Sequence, residues 1–313
     1  MGLKSLIVSE TPKLSKNLRL WLNLGIVYVV WGSTYAGIAV AGQTFPPLGG
    51  MGLRFTTAGL LVMALLVILR KSVRVSRVEL WSVTQIGVML LVGGIGTVSV
   101  AEQYIPTSYV SLLICVTPLY MAVLRTLKGD RPSRLSLLGV VIGLVGMVIL
   151  VLLGNEPVAT EPDANVLFWS LAILLASFTW ALGSFRSKTM TLPEDPLVLT
   201  AWEMLMGGLV LMLLSIATGE RFDFANVSNE SWGAMIYLIL IGSIVGYTSY
   251  IWLLEHAPIS LVATYSYVNP IVAVALGVIW IGEPIGLNIV VGGAVVLIGV
   301  ILSVSAEKPK APQ

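Results

Sequence analysis

The amino-acid sequence predicts an all-α polytopic membrane protein whose ten transmembrane helices form two inverted five-helix repeats. An apolar composition, ten apolar runs and a pairing of the first five runs with the last five support this prediction. The 313 residues are 57% hydrophobic and only 11% charged, whereas soluble domains carry roughly 25% charged residues. This composition argues against a soluble enzyme, and a net charge of +2 gives no indication of a nucleic-acid partner.

Each of ten apolar runs approaches the roughly 20 residues that a membrane helix needs. The runs cover 20–41, 48–69, 79–100, 106–126, 134–153, 165–187, 196–218, 231–254, 258–281 and 285–304. They divide the chain into an N-terminal segment (1–19), a first repeat (20–153), a linker (154–164), a second repeat (165–304) and a C-terminal tail (305–313). The connections are short, so the sequence predicts no soluble domain.

The distribution of Lys and Arg predicts the orientation of the chain. With ten spans, sixteen of the eighteen basic residues lie on the same side as the N-terminus, and Arg221 alone lies on the other side. The remaining one, Arg54, lies within an apolar run. Because basic residues concentrate in cytoplasmic loops, we expect a multi-pass protein with both termini in the cytoplasm.

An internal repeat relates the two halves of the chain. Pro106 and Pro118 are twelve residues apart at the fourth run, and Pro258 and Pro270 have the same spacing at the ninth. Five spans per repeat is an odd number, so the second repeat enters the membrane from the opposite side, as in many secondary transporters. The alternative is a chance similarity between apolar segments. Two further pairs align: residues 54–63 with 203–212, and Gly139 and Gly146 with Gly292 and Gly299.

Arg54 and Glu203 are the charged residues that lie well inside apolar runs, at aligned positions of the two repeats. Charged residues within membrane helices are costly and commonly functional. Arg54 suits a carboxylate, whereas Glu203 suits an ammonium group or a proton. The alternative is that both are structural anchors. The inverted arrangement places Arg54 nearer the outer face and Glu203 nearer the inner face, so a direct salt bridge requires tilted helices or extended side chains.

Pro118 and Pro270 interrupt helical hydrogen bonding within the fourth and ninth runs. Each lacks a backbone N–H and frees the carbonyl four residues earlier, at Ile114 and Ser266. We interpret the two prolines as a pair of hinges, with static kinks as the alternative. Asn269 is a polar group within an apolar run and should face protein or a cavity.

Aromatic residues are the other candidates for a binding site. Tyr28, Trp31 and Tyr35 have the spacing of one helix face, and Trp180, Tyr250 and Tyr267 lie in runs of the second repeat. Lining of a cavity and ordinary helix packing are both compatible with this pattern. We assign structural roles to Cys115 and His256. The sequence contains no phosphate-binding loop and no H-E-x-x-H motif, so no catalytic residue, metal site or cofactor is predicted.

Three segments carry a resemblance to a known family: Trp31-Gly32-Ser33-Thr34-Tyr35, Pro46-Pro47-Leu48 leading to Arg54-Phe55, and Tyr267-Val268-Asn269-Pro270. They resemble the EamA family of the drug/metabolite transporter superfamily, and within it the YedA-like exporters. The resemblance covers about residues 20–304. It implies ten helices, cytoplasmic termini, a central cavity between the halves, and export of amino acids, other metabolites or drugs.

The sequence therefore predicts a secondary transporter in the cell inner membrane that exports small metabolites or drugs by alternating access. An importer or exchanger on the same fold is the first alternative, and an intramembrane enzyme is a remote one. The expected partners are a small-molecule substrate, the lipid bilayer and protons as a candidate coupling ion, and both a monomer and a homodimer are left open. The candidate substrate contacts are Arg54, Glu203, Trp31, Tyr35, Trp180, Tyr250, Tyr267 and Asn269, with Pro118 and Pro270 as hinges.

Overall fold

The computed structural model describes residues 16–129, 133–152, 165–282 and 285–305, and the secondary structure in these ranges is entirely helical. The predicted all-α class is therefore confirmed. The predicted linker (154–164), most of the N-terminal segment (1–15 of 1–19) and most of the tail (306–313) lie outside the described residues.

All described helices but the ninth follow the predicted apolar runs to within three residues at each end, and the ninth is shorter than its predicted run (258–281) at both ends. In chain order they are α1 (Asn17–Ala41), α2 (Pro47–Ile68), α3 (Arg77–Ala101), α4 (Thr107–Leu127), α5 (Arg134–Leu152), α6 (Val166–Arg186), α7 (Pro196–Ala217), α8 (Asn229–His256), α9 (Tyr265–Leu276) and α10 (Leu287–Ser305). A single turn, Ile259–Val262, precedes α9. Within the described ranges, four stretches are π-helical: Val27–Trp31 in α1, Val88–Gly96 in α3, Leu238–Val245 in α8, and Gly277–Ile281, which continues α9.

Seven of these helices are long and apolar enough to cross a membrane, namely α1 to α4 and α6 to α8. The other three contain shorter apolar stretches over the residues searched: Arg134–Gly146, Val268–Trp280 and Ile289–Gly299. The chain is thus a polytopic helical membrane protein. The count of ten spans stays a prediction.

Helices α2 and α7 begin and end in the same way. Each has a proline at its first position, Pro47 and Pro196. The missing N–H does not weaken the helix there, because the first N–H of a helix has no acceptor within it. Each ends with a left-handed residue, Arg70 (φ 56°) and Gly219 (φ 78°). The N–H of the next residue then bonds to a carbonyl of the last helical turn, at 2.9 Å for Lys71 and 3.0 Å for Glu220.

Two helix pairs make the most extensive contacts in the described part of the chain: α2 packs along α7, and α5 packs along α10. Glycines allow the backbones to approach. A Cβ atom on Gly59 would lie 2.8 Å from the backbone nitrogen of Leu205, and one on Gly208 would lie 2.5 Å from that of Thr56. Such small residues are typical of close helix packing in membranes. Each pair joins helices that the sequence repeat aligns.

Candidate functional site

A central cavity lies among α1, α2, α3, α4, α6 and α9. Both halves of the chain therefore contribute to its wall. Five of the predicted substrate contacts line it: Trp31, Tyr35, Arg54, Trp180 and Asn269. Most of the other lining side chains are apolar, so the cavity combines an apolar wall with a few polar groups, as small-molecule sites commonly do.

Arg54 supplies a cationic group to this cavity. Its side chain is buried, and its Nε–H donates to the Ser243 Oγ at 2.8 Å. One terminal nitrogen lies 3.7 Å from the Met51 sulfur, and the guanidinium carbon is 4.6 Å from the centre of the Phe55 ring. Among the described residues no carboxylate lies within salt-bridge distance of Arg54. The guanidinium therefore has N–H groups available to donate hydrogen bonds to an acidic ligand.

The π-helical stretch of α8 brings Ser243 to Arg54. Gly242 makes this approach possible, because a Cβ atom there would lie 3.0 Å from an Arg54 terminal nitrogen and 2.9 Å from the Thr34 methyl. The Gly242 carbonyl also accepts a hydrogen bond from the Trp31 indole at 3.3 Å. Single π-helical turns occur frequently at functional sites. Gly242 and Ser243 are not among the residues predicted from the sequence, although a serine within an apolar run was a signal.

Five rings form an aromatic cluster beside the cavity: Trp31, Trp180, Tyr247, Tyr250 and Tyr265. Trp31 is at its centre, with ring centroids 4.7 Å from Tyr250, 5.4 Å from Trp180 and 5.5 Å from Tyr265. The Tyr250 hydroxyl accepts from the Trp180 indole at 3.1 Å. Tyr250 is absent from the residues that line the central cavity and supports the rings that do.

Asn269 joins α9 to α1 in the cavity wall. In the amide orientation that satisfies its hydrogen bonds, its nitrogen donates to the Tyr28 carbonyl at 2.9 Å and to the Tyr265 carbonyl at 3.1 Å. These bonds position the two helices. The side chain of Tyr267 lies outside the described residues, so its role stays a prediction.

Glu203 lies in a different cavity from Arg54. This second cavity is also lined by Lys188 and Glu255. The Glu203 side chain is fully buried, and its Oε2 accepts a hydrogen bond from the Tyr247 hydroxyl at 2.9 Å. Its Oε1 has no hydrogen-bond partner among the residues that the structure describes. No ion pair joins Glu203 to Arg54 in the structure, so the aligned charges act in separate environments.

The two candidate hinge prolines differ in their local structure. Pro118 lies at the start of the stretch Thr117–Leu127, which follows a break in α4. Pro270 lies inside α9. The carbonyls that they free both find donors: Ile114 accepts from the Thr117 hydroxyl at 2.7 Å, and Ser266 accepts from the Cys115 thiol at 3.2 Å.

Comparison with known proteins gives consistent matches along the chain. The sequence model of the EamA-like transporter family matches residues 20–152 and 167–305. The chain is 36% identical over 252 residues to the inner membrane transporter YedA of Escherichia coli strain K12, and the match covers 80% of this chain and 79% of YedA. It is 24% identical over 288 residues to the transporter YoaV of Bacillus subtilis, covering 90% and 95% of the two chains.

This chain has the same fold as a protein of known crystal structure, and the TM-score between the two is 0.66. The two chains are 19% identical, and the similarity covers 91% of this chain and 96% of the other. At this identity the likeness concerns the fold alone.

Proposed function

Because the chain belongs to the EamA-like transporter family, we propose that this membrane transporter is a secondary exporter of small metabolites that carry a carboxylate, such as amino acids. Arg54 binds the carboxylate in the central cavity. The observation that carries this proposal is a buried guanidinium that lines the cavity and has no acidic partner among the described residues. Leaving a buried charge uncompensated is costly, so an anionic ligand group stabilises this arrangement.

The remaining predicted contacts suit the rest of such a substrate. Trp31, Tyr35 and Trp180 present aromatic surface to the cavity, and this surface suits an apolar side chain. The guanidinium fork matches a carboxylate in a planar, bidentate geometry. Glu203 and Tyr250 do not line the central cavity, so they are not proposed as first contacts of the carboxylate substrate.

The proposed mechanism is alternating access between two inverted five-helix repeats, 20–153 and 165–304. The matching ends of α2 and α7 support the repeat, as do the contacts of α2 with α7 and of α5 with α10. With ten spans, both termini are cytoplasmic, and Pro118 and Pro270 are the proposed hinges. Coupling to protons, and the choice between monomer and homodimer, stay predictions.

Export is the proposed direction, with import or exchange on the same fold as the alternative. The family and the relatives are named as transporters, which favours transport over the remote alternative of an intramembrane enzyme. Expression in whole cells should lower the internal concentration of the substrate without changing its chemical identity. A rise in that concentration would favour import.

Arg54 provides the direct test. Purified protein in vesicles should transport radiolabelled phenylalanine or another carboxylate metabolite, and Arg54→Gln should reduce this transport by about 10- to 100-fold, the value of a hydrogen-bonded charge. Arg54→Lys should also impair transport, because Lys keeps the charge but loses the fork. Arg19→Gln, at an exposed position, is the control. Unchanged transport by correctly folded Arg54→Gln would contradict the proposed carboxylate site.

A further inference from the structure

The second cavity has the composition of a ligand site in its own right. Apolar side chains such as Ile86, Leu199 and Ile251 line it together with the carboxylates of Glu203 and Glu255. Glu203 is fully buried, and within the described part of the chain its Oε1 has no hydrogen-bond partner. An unpaired buried carboxylate oxygen costs free energy, and a donor in the cavity would offset that cost.

The aromatic cluster lies between this cavity and the central one. Trp31 and Trp180 line the central cavity. Tyr250 packs on both rings, at 4.7 and 5.5 Å between centroids. Tyr247 packs against Tyr250 at 6.4 Å and donates its hydroxyl hydrogen to Glu203. A continuous line of rings therefore leads from the Arg54 cavity to the carboxylate of Glu203.

The charges around the second cavity favour a cation. Among the described residues that line it, Glu203 and Glu255 are the two acids and Lys188 is the one base. The Lys188 ammonium donates to the carbonyls of Leu254 and Ala257 at the end of α8, so the helix end already satisfies part of its charge. Glu255 lies 3.8 Å from the His256 ring. With both acids ionised and Lys188 protonated, the lining carries one net negative charge.

We propose that the second cavity binds a protonated amine with an apolar body, at a site distinct from the Arg54 site. The ammonium donates to the free Oε1 of Glu203, and the apolar body packs against Leu199 and Ile251. This inference extends the proposed function, because an amino acid carries both groups and would meet Arg54 and Glu203 in different cavities. It does not depend on carboxylate binding at Arg54.

A matched pair of probes tests the proposal. Phenethylamine and phenylacetate share an aromatic body and carry opposite charges, and their affinities for the purified full-length protein are measured by titration calorimetry. Glu203→Gln should weaken phenethylamine binding at least 10-fold and leave phenylacetate binding within about twofold, consistent with the loss of a charged hydrogen bond. Arg54→Gln should do the reverse. The proposal is overturned if Glu203→Gln leaves phenethylamine affinity unchanged, or if Arg54→Gln weakens both probes equally.

A second set of variants keeps the test decisive if Glu203→Gln does not fold. Glu203→Asp keeps the charge and should retain most of the amine affinity, whereas Glu255→Gln, at a partly exposed position, should weaken it by about 2- to 5-fold, as expected for a less buried charge. Leu199→Trp fills the cavity and should also weaken amine binding. The proposal is overturned if neither Glu255→Gln nor Leu199→Trp changes the affinity for the amine. Failure of phenylacetate to bind any variant would count against the Arg54 site alone.

Discussion

A single thiol satisfies the carbonyl that Pro270 frees. Pro270 has no N–H to offer the Ser266 carbonyl within α9, and the Cys115 thiol donates to this oxygen from α4 at 3.2 Å. Cys115 is fully buried and also contacts the Ser111 carbonyl at 3.8 Å. The residue to which the sequence analysis assigned a structural role therefore joins the fourth and ninth helices close to both candidate hinges.

We predict that Cys115→Ala destabilises the protein by about 0.5–1.5 kcal/mol, the net value of a hydrogen bond, and that this cost falls when Pro270→Ala restores the helical donor. The measurement is a double-mutant cycle from the midpoints of thermal unfolding in detergent. Cys115→Ser, which keeps a donor, is the control. Additive effects of Cys115→Ala and Pro270→Ala would contradict the assigned coupling.

At the scale of helices, α2 and α7 depend on glycines where their backbones cross. A Cβ atom on Gly208 would lie 2.5 Å from the Thr56 nitrogen and 3.0 Å from the Phe55 carbonyl carbon. Backbone atoms cannot move aside as a flexible side chain can. The two helices must therefore move apart where they cross when a side chain is added. Arg54 lies one residue from Phe55 on the same helix, so it moves with this segment.

Gly208→Val should destabilise the protein by about 1–3 kcal/mol or more, the cost of overpacking a well-packed contact, and should reduce transport because it displaces the segment that carries Arg54. Gly233→Ala is the matched control: this glycine is exposed in α8 and no atom lies within 4 Å of its added Cβ. The control should be neutral or stabilising by up to about 1 kcal/mol. Equal losses for both variants would argue against close packing as the cause.

At the scale of the whole molecule, two contacts join the halves at opposite ends of the α2–α7 pair. Lys71, just after α2, forms a 2.7 Å salt bridge with Asp195, which caps the start of α7. Glu220, just after α7, accepts hydrogen bonds from the backbone N–H groups of Leu48 and Gly49 at the start of α2, at 3.2 and 2.8 Å. Each end of the pair is therefore held by a charged side chain at a helix N-terminus.

The contact at Asp195 should be sensitive to acid. Partial burial raises the pKa of the Asp195 carboxyl, but hydrogen bonds from Lys71 and from the Leu197 N–H outweigh it, so the pKa lies below the usual value. Because its pKa is lowered, the ionised Asp195 carboxylate stabilises the folded protein at pH values above the usual carboxyl pKa of about 3.9. This stabilisation is lost as the pH falls through the lowered pKa of Asp195. Lys71→Gln should lower the melting temperature slightly at pH 7, since exposed pairs contribute at most about 1 kcal/mol. The difference from the wild type should shrink below about pH 4, and a difference that grows on acidification would contradict this assignment.

The proposed ten-span topology predicts which loops face the cytoplasm. In a Cys115→Ser background, cysteines at Arg74 and Lys128 should be protected from an impermeant thiol reagent in intact cells, and a cysteine at Asn226 should react. The reason is the concentration of basic residues in the segments 70–78 and 125–134. Permeabilised cells, in which all three positions react, are the control. Labelling at Lys128 from the outside would exclude the ten-span arrangement.

The sequence by itself determined the helical class, the boundaries of all described helices but the ninth, and the family. These properties depend on local information: an apolar run long enough to span a bilayer must form a helix because lipid cannot satisfy its backbone, and turn residues end it. The sequence also identified Trp31, Tyr35, Arg54, Trp180 and Asn269, which the fold brings to one cavity. A polar or aromatic side chain in an apolar run is visible without knowledge of its neighbours.

Only the tertiary structure decided which of these residues act together. The inverted repeat predicted that Arg54 and Glu203 lie nearer opposite faces of the membrane, but only the packed helices show that each lines a cavity of its own. The Ser243 contact with Arg54 depends on a π-helical stretch, and a π-helical turn changes which side chains face inward. Contacts of this kind join residues more than 200 positions apart, such as Trp31 and Gly242, which are separated by 211. No local pattern encodes them, because they arise from helix tilt and close packing.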